Sequence, residues 1–206
     1  MTSAFGRLAV ALVLIAPVAP AHAGQPMETV RAGVERAMKV FENPALTGAG
    51  HTAERHRELS AIARGLFDFE EMSRRALGSH WSARTPAERR AFVNVFTKLL
   101  ETTYFAQIDT YVGGSTLRYE AENIKGDDAT VRTIIGSAKG TEIVVNYRLL
   151  RQDDRWLIYD VDFEGATLIN NYRAQFNKII RSSSFETLLH QLNQKAMTGS
   201  KPAGGT

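Results

Sequence analysis

Apolar residues recur every three or four positions from Met27 to about Tyr111, which is the spacing of amphipathic helices. Prolines, glycines and capping residues divide this half of the chain into four helices. The clearest helix start is the segment 85–88, which supplies a threonine N-cap, a proline at the first helical position and an acidic residue two positions later. The predicted helices cover about residues 27–43, 52–66, 69–78 and 86–112.

From Thr116 to Phe163 the period changes to two, which is typical of strands with one buried face. Turn clusters at 125–128, 139–140 and 152–154 predict four strands joined as an antiparallel meander, because connections this short allow only hairpins. The more polar face includes Asp160 and Asp162, which we expect to be solvated. The predicted apolar face carries Leu117, Tyr119, Ile143, Val145, Tyr147, Leu149, Leu157, Tyr159, Val161 and Phe163.

The chain then returns to a helical pattern over about residues 167–181 and 185–197. A sheet with one apolar face needs helices to cover that face. The sequence therefore predicts one α+β domain, in which helices pack on one face of a four-stranded antiparallel sheet.

The first 23 residues have the pattern of a secretory signal peptide. Arg7 is followed by the apolar run Leu8–Ile15 and then by the small-residue site 21–23. The apolar run is shorter than the roughly 20 residues that span a bilayer. We therefore expect a signal peptide at 1–23, a mature domain at 24–197, and a polar, disordered tail at 198–206.

Composition excludes several classes of site. The net charge is +3, of which Arg7 contributes one, and the charges are mixed along the chain, unlike the basic patches of nucleic-acid-binding proteins. The chain has no cysteine, so thiolate metal sites and thiol nucleophiles are excluded. Histidines lack the spacing of metal ligands, and no nucleotide-binding or nucleophile motif is present. We expect no metal and no cofactor.

Six aromatic residues are expected to converge between the sheet and the helices: Phe96, Tyr104, Tyr147, Tyr159, Tyr172 and Phe176. An ordinary aromatic core accounts for this pattern as well as a binding pocket does. A small pocket enzyme that uses Tyr159 or Asp160 as an acid or base is an alternative that the pattern leaves open.

Several local sequences, in their order and spacing, resemble the MlaC or toluene-tolerance family. They are Asp68-Phe69, the segment 72–78 with Trp81, the segment 85–89 with Phe92, the segment 156–161, Glu164-Gly165, and the segment 171–176. The chain has Ala166-Thr167-Leu168 where the family often has Val-Ser-Leu, a change that keeps a hydroxyl as the helix cap. The resemblance covers about residues 27–197.

The resemblance implies a non-enzymatic periplasmic carrier that moves phospholipid between the inner and outer membranes and maintains outer-membrane lipid asymmetry. It also implies an α+β fold with a deep apolar pocket for the acyl chains. The implied partners are an inner-membrane MCE-domain protein of an ABC transporter and an outer-membrane lipoprotein complex. A close branch of the family accompanies hopanoid synthesis, so a polycyclic lipid is an alternative cargo.

If such a pocket exists, we expect it between the long helix, the apolar sheet face and the helix after Thr167. The expected lining residues are Trp81, Phe96, Leu99, Leu100, Tyr104, Val145, Tyr147, Tyr159, Val161, Leu168, Tyr172 and Phe176.

We predict that the exported form begins at Gly24 or within two residues of it, because the small-residue site 21–23 follows the apolar run. The intact mass of protein from the periplasmic fraction measures the N-terminus directly. A mass that still includes Arg7 would contradict the prediction.

Overall fold

The computed structural model describes residues 25–111, 116–136 and 140–198. Several segments of the sequence prediction lie outside these residues. They are the expected signal peptide, the glycines at 113–114 just after the predicted end of the long helix, turn residue 139 and nearly all of the expected tail.

The described residues include six α-helices, and their positions agree with the sequence pattern. They are α1 (Pro26–Glu42), α2 (Thr52–Leu66), α3 (Phe69–Leu77), α4 (Pro86–Tyr111), α5 (Leu168–Ser182) and α6 (Phe185–Thr198). Within the described part of the chain, no helix combines the length and the apolar character needed to cross a membrane.

Side-chain caps fix the starts of the helices that the sequence signals predicted. The Asp68 carboxylate accepts a hydrogen bond from the Glu71 backbone N–H at 2.9 Å. At the start of α4, the Thr85 hydroxyl accepts from the Glu88 N–H at 3.3 Å, and the Glu88 carboxylate accepts from the Thr85 N–H at 2.7 Å. This reciprocal arrangement satisfies two N–H groups that a helix start leaves without partners.

The sheet has five antiparallel strands in sequential order, one more than predicted. They are β1 (Thr116–Lys125), β2 (Asp128–Gly136), β3 (Glu142–Gln152), β4 (Arg155–Phe163) and β5 (Ala166–Thr167). The sequence pattern missed β5 because a two-residue strand is too short to show a period. It pairs only with Asp162 and Phe163, just before α5 begins.

Two β-bulges interrupt the strand register. In β1 the bulge lies between Tyr119 and Ala121. In the β3–β4 pair, Arg148 lies opposite Asp160 whereas Leu149 lies opposite Ile158, so one extra residue, Tyr159, is inserted on β4. A bulge of this kind reverses which face the following residues occupy.

Because of the bulge in β4, the prediction of which β4 residues form the apolar face is partly wrong. Val161 lies on the inward face as expected, but Trp156 and Ile158 are buried there in place of Leu157 and Tyr159. Strict alternation along β4 cannot anticipate the inserted residue, because each residue on the N-terminal side of a bulge is shifted by one position.

Buried apolar side chains form two separate clusters. The sheet cluster joins the inward face of β2–β4 to Val30 of α1 and Leu66 of α2. The helix cluster joins α3, α4, α5 and α6 around packed aromatic rings, including Phe96 and Phe176, which meet edge to face with ring centres 5.3 Å apart. Phe67, at the α2–α3 junction, packs against both clusters.

Asp160 and Asp162 are buried, so their predicted placement on a solvated face is wrong. The Asp160 carboxylate accepts hydrogen bonds from the N–H groups of Val161 at 2.9 Å and Ile169 at 3.0 Å. The Asp162 carboxylate accepts from the Gly165 N–H at 2.8 Å. These carboxylates therefore hold the turn that joins β4 to the first turn of α5.

Burial raises the pKa of the Asp160 carboxyl above its ordinary value, although its backbone donors and Arg148 act in the opposite direction. The folded protein thus binds the Asp160 proton more tightly than the unfolded chain does. For such a group, the contribution to stability is fully present below the unfolded pKa of about 3.9 and decreases as the pH rises through the folded value.

We predict that Asp160→Ala lowers the free energy of unfolding by about 1–3 kcal/mol, because it leaves buried N–H groups without an acceptor. Asp160→Asn keeps a carbonyl acceptor and is expected to cost much less. Urea unfolding at several pH values measures both effects. The stability of the wild type relative to Asp160→Asn should rise as the pH falls from 7 toward 4, and a fall would contradict the assigned direction.

Candidate functional site

Across strands β2, β3 and β4, the inward face of the sheet is completely covered at one end and only partly covered at the other, whereas Ile124 of the edge strand β1, in the covered row, is 44% exposed. At the covered end, one row across three strands contains Ala129, Leu149 and Ile158, which are 5%, 0% and 0% exposed. Toward the opposite end, Ile143 is half-buried and Phe163 is 39% exposed. We call the region around Ile135, Ile143 and Phe163 the open end of the sheet.

The long helix does not close this end over its described part. The helices with several close backbone approaches to the sheet are α1, α2, α3 and α5, whereas α4 packs chiefly on α6. The helix cluster and the sheet cluster consequently share only Phe67 among their packed residues. A domain of this size ordinarily has one contiguous apolar core, so the division indicates a seam between helices and sheet.

The helical side of the seam is built by the start of α5 and by α4. The chain passes from Phe163 through β5 directly into α5, which places Leu168 beside the open end. One turn further, Tyr172 packs with its ring centre 5.0 Å from that of Phe96 on α4.

The tyrosines of the seam are neutral at physiological pH. Burial raises the pKa of Tyr172 to about 12 and the pKa of Tyr104 further above its ordinary value. On the sheet, burial raises the pKa of Tyr147 to about 12. These hydroxyls can therefore donate and accept hydrogen bonds but carry no charge, which suits an apolar ligand with few polar atoms.

Most of the predicted lining residues belong to, or pack against, one of the two apolar clusters, which we take as the walls of the seam. That these residues line a pocket stays a prediction. Val145, Tyr147 and Val161 belong to the sheet wall. The helix wall contains the predicted residues Phe96, Leu99, Leu100, Tyr104, Leu168, Tyr172 and Phe176.

Trp81 belongs to the helix cluster but packs at the α3–α4 connection. The Arg89 guanidinium lies 5.2 Å from its ring centre, and the Arg89 Nε donates to the Trp81 carbonyl at 3.1 Å. These contacts account for Trp81 as part of the helix packing.

Tyr159 is not brought to the seam, and its predicted placement on the inward face is wrong. The bulge turns it to the outer face, where it lines a polar cleft of about 290 Å³ with Asn146 and Arg148. Its hydroxyl donates to Asp128 at 3.4 Å, and the Arg75 guanidinium lies 3.9 Å from its ring centre.

Three residues of the open end, Ile135, Ile143 and Phe163, were not among the predicted lining residues. The alternating pattern placed Ile143 and Phe163 on the correct face, but a period says nothing about which part of a face the helices leave uncovered. No sequence signal predicts that Phe67 packs against both clusters, because this contact depends on how the α2–α3 junction pairs with Ile158 in β4.

Among the described residues, no group of histidine, aspartate and glutamate side chains could hold a metal ion. The N-terminus of α5 is capped by Thr167 and by the Asp160 carboxylate. An anion at this position would meet a carboxylate and not free N–H groups.

Comparison with known proteins places the chain in one family. The profile of the family described as MlaC protein matches residues 31–194. The intermembrane phospholipid transport system binding protein MlaC of Haemophilus influenzae is 24% identical over 134 residues, which are 63% of this chain and 62% of that protein. The chain thus aligns with less than two thirds of that relative's length.

A solved structure of a phospholipid-binding protein from Ralstonia solanacearum, in complex with a phospholipid, has the same fold. The TM-score is 0.75 at 22% identity, and the match covers 86% of this chain and 100% of the other. The two chains share the α+β arrangement of helices on an antiparallel sheet.

We predict that the open end tolerates bulk that the covered end does not. Leu149→Trp should lower the free energy of unfolding of lipid-free protein by about 1–3 kcal/mol, as added volume does in a packed core. Ile143→Trp, on the same strand and the same face, should change it by less than about 1 kcal/mol. Denaturant unfolding compares the two variants, and an equal loss in both would show that the open end is packed like the rest.

Proposed function

Since the chain belongs to the MlaC family, we propose that it is a carrier that binds the acyl chains of a phospholipid between the open end of its sheet and helices α4 and α5. The head group would remain at the surface. The carrier would take up lipid from one membrane and release it at another without changing it chemically.

The observation that carries this proposal is the uneven cover of the apolar sheet face. Ile143 and Phe163 continue a face that is fully buried at Leu149, yet no helix of the described part covers them to the same extent. We take this partly uncovered apolar surface as the binding site, because exposed apolar patches on globular proteins commonly mark ligand or partner sites. Acyl chains are the apolar ligand that a seam lined by aliphatic and aromatic side chains accommodates.

The energetics fit a carrier. Each methylene group removed from water contributes about 0.8 kcal/mol. Exposing two acyl chains with roughly 30 methylenes to water during transit would therefore cost on the order of 24 kcal/mol of free energy. The protein needs only to replace this burial during transit, and apolar burial does not require particular directional contacts.

The relatives support the same cargo. One is described as the binding protein of an intermembrane phospholipid transport system, and the structural relative was solved with a phospholipid bound. We propose by analogy that this chain works in the periplasm after export and helps to maintain outer-membrane lipid asymmetry. Its partners would be an inner-membrane MCE-domain protein of an ABC transporter and an outer-membrane lipoprotein complex.

A catalytic role for Tyr159 or Asp160 has less support. The Asp160 carboxylate accepts two backbone N–H groups, and Tyr159 is engaged with Asp128 and Arg75 on the outer face. Neither side chain faces the seam. Both are accounted for by the packing of the β4–α5 turn and of the sheet against α3.

We predict that the protein purified from the periplasm carries lipid and that Ile143→Trp removes it. The indole would occupy the open end while the fold is kept. Native mass spectrometry measures bound lipid directly, and Ile124→Trp is the matched control, because Ile124 is 44% exposed and lies at the other end of the sheet. The control variant should retain lipid at the wild-type level.

Fragmentation of the released ligand distinguishes the two candidate cargoes. A glycerophosphate fragment identifies phospholipid, whereas a polycyclic hydrocarbon skeleton identifies a hopanoid. Wild-type protein without any bound lipid would contradict the carrier proposal. Lipid retained by Ile143→Trp would contradict the location of the site.

A further inference from the structure

A group of polar side chains joins α2 to α4 on one side of the seam. The Ser60 hydroxyl donates to Glu101 Oε1 at 2.5 Å, and a guanidinium nitrogen of Arg64 lies 3.1 Å from the same oxygen. The Arg64 Nε also donates to the Ser60 hydroxyl at 3.3 Å. Each of the three side chains therefore contacts the other two. We call Ser60, Arg64 and Glu101 the polar bridge.

The two helices that the polar bridge joins belong to different walls of the seam. On α2, Leu66 follows Arg64 by two residues and is buried in the sheet cluster. On α4, Leu99 and Leu100 directly precede Glu101 and belong to the helix cluster. Among the described residues, no side chain of α2 belongs to the helix cluster. The polar bridge thus connects the walls where they do not share an apolar cluster.

The polar bridge lies on the side of the seam that leads to the open end. One turn away along each helix, the rings of His56 and Phe105 meet with centres 5.8 Å apart. Helix α4 ends at Tyr111, and β1 begins at Thr116, whose row of the sheet adjoins that of Ile135. These five residue steps span at most about 18 Å. The end of α4 beyond the bridge is therefore held near the open end.

The burial of Glu101 makes this contact firm when it is closed and inexpensive to open. The Glu101 side chain is 7% exposed, and within the described residues its donors come from α2 alone. A buried carboxylate without donors is strongly unfavourable. Arg64 is 59% exposed, so water screens its attraction to the carboxylate. When the helices part, water reaches Glu101 and replaces both donors at a modest net cost.

We propose that the polar bridge closes the lipid site between α2 and α4, and that its opening admits and releases the acyl chains. This inference rests on the proposed function. Parting two walls at an apolar contact exposes apolar surface to water, whereas parting them at the bridge exchanges hydrogen bonds for hydration. The other two attachments, at the α2–α3 junction and the β4–α5 turn, lie where the chain itself passes between the walls. They remain closed while α2 and α4 separate.

The first test weakens the polar bridge and measures lipid exchange. Pyrene-labelled phosphatidylglycerol moves between the protein and phosphatidylcholine vesicles, and fluorescence gives the rates of uptake and release. Glu101→Gln and Ser60→Ala should each raise both rates about three- to tenfold, as expected for the loss of one hydrogen bond. The fraction of protein with lipid at equilibrium should stay the same, because the bridge holds the walls together with or without lipid. A residue that contacts the lipid would instead change that fraction.

Glu71→Gln is the matched control. The Glu71 side chain is 11% exposed and pairs with two arginines, Arg74 and Arg75, each at 2.6 Å. All three residues lie on α3, so this group of charges does not join the two walls. The control variant should keep both wild-type rates.

The second test locks the polar bridge. The chain has no cysteine, so Ser60→Cys combined with Glu101→Cys supplies two thiols that a short bismaleimide can join. Before the reaction, this double variant should exchange lipid faster than the wild type, because the bridge is absent. After the reaction, it should exchange lipid more slowly than the wild type. A change of sign within one variant separates the opening of the site from a loss of stability.

The outcomes distinguish this inference from the carrier proposal. Equal exchange rates before and after crosslinking would overturn the inference and leave the carrier proposal intact. Wild-type rates in both Glu101→Gln and Ser60→Ala, or faster release with weaker binding, would also overturn it. Wild-type protein that takes up no lipid would overturn the proposed function and this inference with it. The melting temperature verifies the folding of each variant, and the crosslinked protein provides the test if a single variant is unstable.

Discussion

The side chain of Asp160 accepts one N–H group from its own strand and another from the first turn of α5. Through these two bonds it ties the sheet to the helical half at the point where the chain leaves β4. The position of Leu168 and Tyr172 relative to the sheet follows from this connection, because both lie in the first two turns of α5. A carboxylate buried for this purpose costs desolvation, which is visible in its raised pKa, and the cost is offset by two charge-assisted hydrogen bonds.

Two residues earlier on the same strand, the α2–α3 junction makes the second attachment. The Asp68 N–H donates to the Ile158 carbonyl at 2.8 Å, and Phe67 packs against both apolar clusters. Both attachments are therefore made through β4, whereas α4 packs chiefly on α6. This arrangement lets a domain keep a stable fold while one of its apolar surfaces remains available to a ligand.

The elements of the fold could be predicted from the sequence because their signals are local. Helix α4 begins where Thr85 and Glu88 cap it, and the inward residues of β3 follow strict alternation. The errors arose where a single residue changed a longer pattern. Tyr159 is the extra residue of a bulge. Asp160 has the sequence pattern of a solvated residue, but it is buried where α5 packs against β4. Both depend on pairing between segments that a one-dimensional period does not describe.

The candidate site was predicted only in part for a related reason. Phe96 and Tyr172 could be assigned to the helical side of the seam from helical spacing, whereas the uncovered end around Ile143 depends on where the helices do not pack. Sequence patterns report which side chains avoid water, and they do not report which of those side chains lack a neighbour. The resemblance to the family supplied the idea of a pocket, and the uneven cover of the sheet is the basis for the position that we propose for it.

The form of β1 has a further consequence for a protein with an incompletely covered sheet. As the first strand in the sheet order, β1 has an outer edge without a paired strand, and such edges promote association between copies. Its bulge after Tyr119 and its ion pairs, Arg118 with Glu142 at 2.7 Å and Glu120 with Arg132 at 3.1 Å, make regular pairing with another copy unfavourable. In the proposed carrier cycle, the empty protein exposes more apolar surface than the loaded one and is therefore the state most prone to aggregate. The charged, bulged edge of β1 opposes edge-to-edge association of that state.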